Sequence, residues 1–285
     1  MDYIKVLGNG NKIVSSTIPV KPVSQTTSRF TMRFVFGGSE LCTVGRRQLS
    51  IHNDSFIVLN KDTRFTSDFG ALTPESMFSI EFGEDFLADF NHENLLIGNG
   101  GDISSLQPEL IETIYPFKME MKHAVGKLKE YLDNGGNDEE QLNEYLNRCL
   151  MSYYRIYDEE ILNKARNLNF LHYSTRVEIL RRLNLAKEYL YANYNRNVNL
   201  EILADHACLS VNHLLRTFKL AYDQSPHQFL IHLRLQRAQL LLTKTEYPIY
   251  EIVNMVGFKC TSSFIRLFRT RYKTTPLKYR NVIAA

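Results

Sequence analysis

Laid against themselves with a shift of fifty positions, the last ninety residues of this 285-residue chain place like on like. Ile202 falls on Ile252, Leu203 on Val253, Ala207 on Gly257, Leu214 on Phe264, Arg216 on Arg266, Phe218 on Phe268, Lys219 on Arg269, Tyr222 on Tyr272, Pro226 on Pro276 and Phe229 on Tyr279. Ten such pairs align without a gap, so the chain is expected to build one supersecondary unit twice.

The unit reads as two short helices. In the first copy Leu200, Leu203, Ala204 and Ala207 stand at helical spacing, a break follows at Cys208-Leu209, and Ser210 sits where an N-cap oxygen satisfies the free amides of a second helix. That second helix, VNHLLRTFKLAY, buries Leu214 and Phe218 and turns Asn212, Arg216 and Lys219 the other way. The second copy runs YEIVNMV, then GFKCT, then SSFIRLFRTRY, with Gly257 for the tight turn, Phe264 and Phe268 inward, and Arg266, Arg269 and Arg271 left for solvent or phosphate. Such a pair is a helix-turn-helix. Between the copies, the stretch from Pro226 predicts one long helix with Phe229, Leu233, Ala238 and Leu241 buried, a rod holding the motifs apart. Isolated Arg and Lys are ordinarily solvated, and a Leu-Phe pair four apart is ordinarily core. It is the coincidence of duplication, outward Asn, Ser, Thr and Arg, and charge that points to DNA.

The net charge of +3 hides a division. From Arg176 onward there are 17 Lys and Arg against 7 Asp and Glu, a net of +10; the earlier residues hold 17 against 24, a net of −7. The basic part attracts a polyanion and the acidic front does not. Apolar residues at 44% and charged residues at 23% exclude a collagen-like or wholly disordered chain. Cys42, Cys149, Cys208 and Cys260 are far apart with no C-x-x-C pair, which indicates neither a disulfide framework nor a thiolate zinc site and fits a reducing compartment. The opening MDYIKVLGNGNK carries no signal-peptide core, and about 18 consecutive apolar residues occur nowhere, so a cytoplasmic protein without a membrane partner is expected.

Between about residues 28 and 90, short β-type runs (RFTMRFVF, ELCTV, QLSI, SFIVLN, MFSIEF) alternate with turn residues and predict a sandwich or small barrel. A metal-binding barrel of this kind needs an H-x-H pair on one strand face. This stretch has only His52, read as a surface turn residue, so no metal is expected. After Asp102 the period lengthens: Ile114, Phe117, Met121, Val125, Leu128 and Leu132 predict a helix beginning near Pro116. Leu142, Leu146, Cys149, Tyr153 and Ile156 predict a second, capped by Asp138 with Gln141 three residues on. The two form a hairpin whose apolar stripes either cover the sheet or, for at least one, make a homodimer contact.

The run LEILADHACLSVNHLLRTFK…SPHQFLIHLRLQRAQLLLTKTEYPIYEIVNMVGFKCTSSFIRLFRTRYKTTPLKYR strongly resembles the AraC/XylS family of bacterial transcription regulators over about residues 180–281. Its strongest element runs from Ile252 through Gly257-Phe258 to Thr275-Pro276 and Tyr279-Arg280, and STRVEILRRLNLAKEYLYANY is similar to the family's interdomain segment and first helix. Two residues depart: Asp223 and Lys273 stand where the family commonly has Gly after each second helix, at a cost in left-handed geometry that is larger for Lys. More weakly, the front is similar to the cupin-like regulatory domains that many members carry, though no residue there matches a ligand-binding motif.

The resemblance implies an α+β chain. Residues 1–165 are a cupin-like regulatory and dimerisation domain (β-rich to about 100, helical hairpin 110–157), 166–179 a linker, and 180–285 an all-α DNA-binding domain with two helix-turn-helix motifs. It implies base reading by Asn212, Leu215 and Arg216 in the first recognition helix and by Thr261, Ser262, Ser263 and Arg266 in the second; Leu215 is odd there, since a Leu only packs or touches a thymine methyl. Lys219, Arg269 and Arg271 are read as phosphate contacts. The function implied is a sequence-specific regulator, an activator, whose partners are double-stranded DNA, RNA polymerase, a small-molecule effector and a second copy of itself, with no cofactor. Among Phe34, Phe36, Phe56, Val58 and Phe78, one or two line the effector cavity and the rest are core. A catalytic barrel fused to a DNA-binding tail is the competing enzyme reading, but G-x-S-x-G, a P-loop and a Cys with a local base are all missing. A non-specific nucleoid-type protein is the other, separated from a regulator by footprinting.

Overall fold

Alternation of apolar and polar residues at period two builds the first half of the chain, and helical stripes build the second. The computed structural model describes residues 2–17, 23–27, 29–69, 76–97 and 111–284. The expected change of period at Asp102 and the first residue of the 110–157 hairpin lie outside them. The strands are β1 (Tyr3–Val6), β2 (Lys12–Ser16), β3 (Val23–Thr26), β4 (Phe30–Phe36), β5 (Ser39–Val44), β6 (Arg47–His52), β7 (Ser55–Leu59), β8 (Arg64–Phe69), β9 (Ser76–Phe82) and β10 (Ile114–Pro116). The α-helices are α1 (Glu84–Ile97), α2 (Met119–Asp133), α3 (Glu139–Tyr157), α4 (Lys164–Arg166), α5 (Tyr173–Ala192), α6 (Leu200–His206), α7 (Val211–Tyr222), α8 (Pro226–Lys244), α9 (Ile249–Met255), α10 (Thr261–Tyr272) and α11 (Pro276–Ala284). The chain divides into two units, Met1–Lys164 and Ala165–Ala285. No helix among the described residues is long and apolar enough to cross a membrane.

In the first unit two antiparallel sheets form, one in the order β1-β2-β9-β4-β7-β10 and the other β3-β8-β5-β6. β4 is buried on both sides. One side carries Phe30 and Phe34 into an aromatic layer with Phe56, Phe82, Tyr115 and, from α3, Tyr153. The other side sends Arg33 to the second sheet, where its Nε donates to both Glu40 oxygens at 2.8 and 3.0 Å and Ser67 Oγ donates to Glu40 at 2.6 Å. A charge pair this deep stands only because its hydrogen bonds are satisfied on both partners. Phe34, Phe56, Val58 and Phe78 are fully buried, and Phe36 is half-buried.

Two expectations for this unit are corrected, and a third is met in one of its two alternatives. His52 is not a surface turn residue: it ends β6, is buried, and its Nε2 lies 2.9 Å from Ser50 Oγ. Ile114 belongs to a strand, because Ile114–Pro116 pairs with β7, and the helix begins at Met119, after the proline has held Tyr115 extended. Both hairpin stripes point into the unit's own core: Met121, Val125 and Leu128 on α2, and Leu142, Leu146, Cys149, Tyr153 and Ile156 on α3, are all buried. Leu132, the last residue of the expected α2 stripe, is half-buried. Asp138 caps α3 by accepting from the Glu140 amide at 3.1 Å, while Gln141 turns away to Glu144.

In the second unit α5 opens at Tyr173 and takes up the last seven residues of the stretch 166–179 expected as a linker. The duplication then appears in three dimensions. α7 and α10 superpose on the fifty-residue shift end to end, Leu214, Phe218, Phe264 and Phe268 are fully buried, and each helix finishes on an aromatic triad. Ring centroids in Phe218-Tyr222-Phe229 lie 4.5, 5.7 and 6.1 Å apart, and in Phe268-Tyr272-Tyr279 4.5, 5.6 and 5.6 Å. Ser225 and Gln228 form a reciprocal capping box before Pro226, launching the 19-residue rod α8. Leu233, Ala238 and Leu241 are buried on it as expected, and Phe229 is half-buried in the first triad.

The gapless alignment is corrected for the first helix of each copy. α6 and α9 correspond at a shift of 49: Leu203 matches Ile252, Ala204 matches Val253 and Ala207 matches Val256, with the same turn bonds from Leu209 N to Ala204 O and from Phe258 N to Val253 O, both 3.0 Å. Ile202 is 46% exposed and is therefore no partner for buried Ile252. The extra residue sits in the turn, four residues in the first copy (207–210) and five in the second (256–260). Its left-handed position is Cys208 (φ 51°) in one and Gly257 (φ 84°) in the other. A Cβ on Gly257 would lie 2.7 Å from the Asn195 carbonyl oxygen, so only glycine fits.

The helix-ending residues Asp223 (φ 56°) and Lys273 (φ 61°) are both left-handed. Aspartate bears this better because its short side chain bonds locally. Lys273→Gly is expected to stabilise the chain by about 0.5–1 kcal/mol and Asp223→Gly by less, read as a rise in the denaturant midpoint. Leu128→Glu or Leu146→Glu, each burying an unpaired carboxylate, is expected to abolish soluble folded protein and not to yield a folded monomer, checked by circular dichroism and sedimentation.

Candidate nucleic-acid interface

A helix that buries residues four apart fixes what its other side displays. With Leu214 and Phe218 inward, positions 212, 216, 219 and 223 of α7 form one outward row; with Phe264 and Phe268 inward, 262, 266, 269 and 273 form the matching row of α10. Asn212, Arg216 and Lys219 are exposed, and Leu215 beside them is half-buried. Ser262, Arg266 and Arg269 are exposed, as is Thr261 at the helix start, while Ser263 is half-buried. Ser210 caps α7, its Oγ accepting from the His213 amide at 3.4 Å.

Along α10 the row lines a groove of about 670 Å³ formed by Ser262, Ile265, Arg266, Arg269, Thr270, Lys273 and Thr275. Sequence reasoning placed Ser262, Arg266 and Arg269 here but missed Ile265, Thr270, Lys273 and Thr275. Ile265, 37% exposed, lies fifty residues from Leu215, so the repeat itself marks an outward apolar residue at the same place on both helices. Thr270 and Lys273 were legible as one further turn from Arg266 and Arg269.

Arg271 is not part of this face. It lies about 140° around the helix from Arg266, and its repeat partner Ala221 is buried. Arg271, itself exposed, contributes after burial to holding down the pKa of His232 on α8. Ser263 also lacks an open counterpart: His213 is half-buried, its ring 5.9 Å from that of Phe170.

At the head of α10 the N-cap is Cys260, with sulfur where Ser210 offers oxygen. Its sulfur lies 3.0 Å from Ser262 Oγ. The Ser262 hydroxyl first, and then Ser263, stabilise the thiolate and lower the pKa to about 7. Burial acts oppositely on Cys149, pushed up to about 12, and raises Cys42 as well.

A family model described as a helix-turn-helix domain matches residues 203–281. Among similar proteins, the HTH-type transcriptional regulator MtrA of Neisseria gonorrhoeae is 37% identical over 82 residues, 29% of this chain and 27% of that protein. The HTH-type transcriptional activator RhaS of Escherichia coli is 32% identical over 99 residues, 35% and 36% of the two chains. The chain thus spans about a quarter to two fifths of the curated relatives it matches. The solved C-terminal domain of the two-component response regulator yesN from Fusobacterium nucleatum is 32% identical, covering 34% of this chain and 94% of that one at a TM-score of 0.32.

Because the thiolate is the reacting form, Cys260 is expected to react with a disulfide reagent at a rate that climbs as pH rises through about 7 and levels above it. Buried Cys42 and Cys149 stay unmodified in the folded chain. Single-cysteine variants titrated between pH 5.5 and 9 check this, and a Cys260 rate still climbing steeply above pH 8 contradicts it.

Proposed function

We propose that the chain is an AraC/XylS-type, sequence-specific DNA-binding regulator that places α7 and α10 in two adjacent major-groove segments, a reading supported by the helix-turn-helix match and the likeness to transcriptional regulators over its C-terminal third. The observation that carries this reading is the matched outward row: Asn212, Arg216 and Lys219 on one helix and Ser262, Arg266 and Arg269 on the other, each set by the same buried pair behind it. Arg216 and Arg266 donate twice to guanine, Asn212 bridges adenine, and Thr261, Ser262 and Ser263 serve a base or a phosphate. Leu215 and Ile265 are suited to thymine methyl groups. Lys219 and Arg269 hold phosphates, which fix the register without reading sequence. The rod α8, about 28 Å long at 1.5 Å per residue, sets the two helices about one turn of duplex apart on the same face.

In this reading residues 180–285 are the DNA-binding domain and 1–165 the regulatory domain, its two sheets and helical hairpin being the cupin-like part. The regulatory domain takes the small-molecule effector, and the protein acts in the cytoplasm as an activator with RNA polymerase. The homodimer of this reading forms through hairpin surface outside the buried positions of α2 and α3.

Selection of binding sites from random duplexes by the purified protein tests the proposal. A defined site of about twenty base pairs is expected, and only diffuse protection in a footprint would return the non-specific reading. On the selected site Arg216→Ala and Arg266→Ala should each cost about 1–3 kcal/mol and relax preference at one base pair, whereas Lys219→Ala and Arg269→Ala weaken all sequences evenly. Unchanged affinity and preference in both arginine variants would place base reading elsewhere.

A further inference from the structure

The two copies of the motif share a backbone but not a charge. From Leu200 to Ser225 there are 2 Lys and Arg against 3 Asp and Glu, a net of −1; over the matching stretch from Ile249 to Thr275 there are 5 against 1, a net of +4. The difference is sharpest at one repeat position, where the first copy has Asp223 and the second has Lys273. Both stand in left-handed backbone at the end of a recognition helix. Glycine takes that conformation freely, and aspartate offsets part of its strain by local hydrogen bonding; lysine does neither. The strain at Lys273 is therefore borne for something other than the fold.

What Lys273 adds is a third cation to the groove already lined by Arg266 and Arg269, with the hydroxyls of Ser262, Thr270 and Thr275 around them. Among the described residues no carboxylate lies within ion-pair distance of any of the three, and Lys273 is exposed. Three like charges on one groove repel one another until an anion enters. We propose that the grip on the DNA backbone is concentrated in the second motif and that Lys273 is one of its phosphate ligands, holding the phosphodiester beside the end of α10. This rests on the DNA-binding reading above. It adds that non-specific affinity comes chiefly from α10 and its surroundings, while α7, with Lys219 as its phosphate contact and an acid at the place that matches Lys273, contributes a smaller share.

The test uses the full chain and a fluorescent 30-base-pair duplex of random sequence, titrated at several salt concentrations. Lys273→Gly should melt at or above the wild type yet bind about three- to tenfold more weakly near 0.1 M salt, with the slope of log K against log salt shallower by about one. Lys273→Arg should restore affinity and slope. Asp223→Lys, which gives the first motif the same cation, should bind more tightly with a steeper slope. A Lys273→Gly chain with wild-type affinity and slope overturns the assignment while leaving DNA binding intact. A wild-type chain that fails to bind the duplex even at 50 mM salt overturns the DNA-binding reading itself, and the two failures are distinct.

Discussion

The packing of α7 and α10 depends on two buried pairs, Leu214 with Phe218 and Phe264 with Phe268. Each pair occupies one stripe of its helix, and each fully buried side chain stabilises by about 1.5–3 kcal/mol. An exposed Arg or Asn on the far side contributes far less. The helix cannot rotate without exposing the pair, so the outward row is held in place by residues on the opposite side. The aromatic triads Phe218-Tyr222-Phe229 and Phe268-Tyr272-Tyr279 extend the same constraint to the next helix, tying each recognition helix to the one that follows it. Each short helix thereby packs with one side and leaves a polar row on the other.

The first unit is organised differently. β4 has no solvent side, and its alternation divides an aromatic layer beneath α3 from the Arg33-Glu40-Ser67 cluster that joins the two sheets. The hairpin puts Tyr153 of α3 into that layer and packs α2 against α3, with the buried residues of both stripes inside this unit. Its apolar content is thus a feature of the core, and any partner or effector must be recognised by residues outside those stripes.

Much of this was legible in one sequence. The duplication, the inward and outward sides of α7 and α10, the cap at Asp138, the strained ends at Asp223 and Lys273 and the asymmetric charge all follow from spacing, side-chain chemistry and counting, which are local properties. The errors came where local pattern admits two answers. A seven-residue helix with apolar residues at adjacent positions reads equally well one residue off, so Ile202 looked like the partner of Ile252. His52 sits among turn residues, yet its strand runs inward.

An amphipathic stripe encodes that it must be covered and carries nothing about what covers it. The sequence alone therefore determined which residues of each element avoid water, and with them the two recognition surfaces. Only the tertiary structure decided what meets those residues: the sheet order β1-β2-β9-β4-β7-β10, the Arg33-Glu40 pairing between sheets, the hairpin turned against its own domain, and the groove that gathers Arg266, Arg269 and Lys273 with Thr275. The physical reason is range. Periodicity and capping act within a few residues, whereas burial is satisfied by any apolar surface that the whole chain can bring into contact.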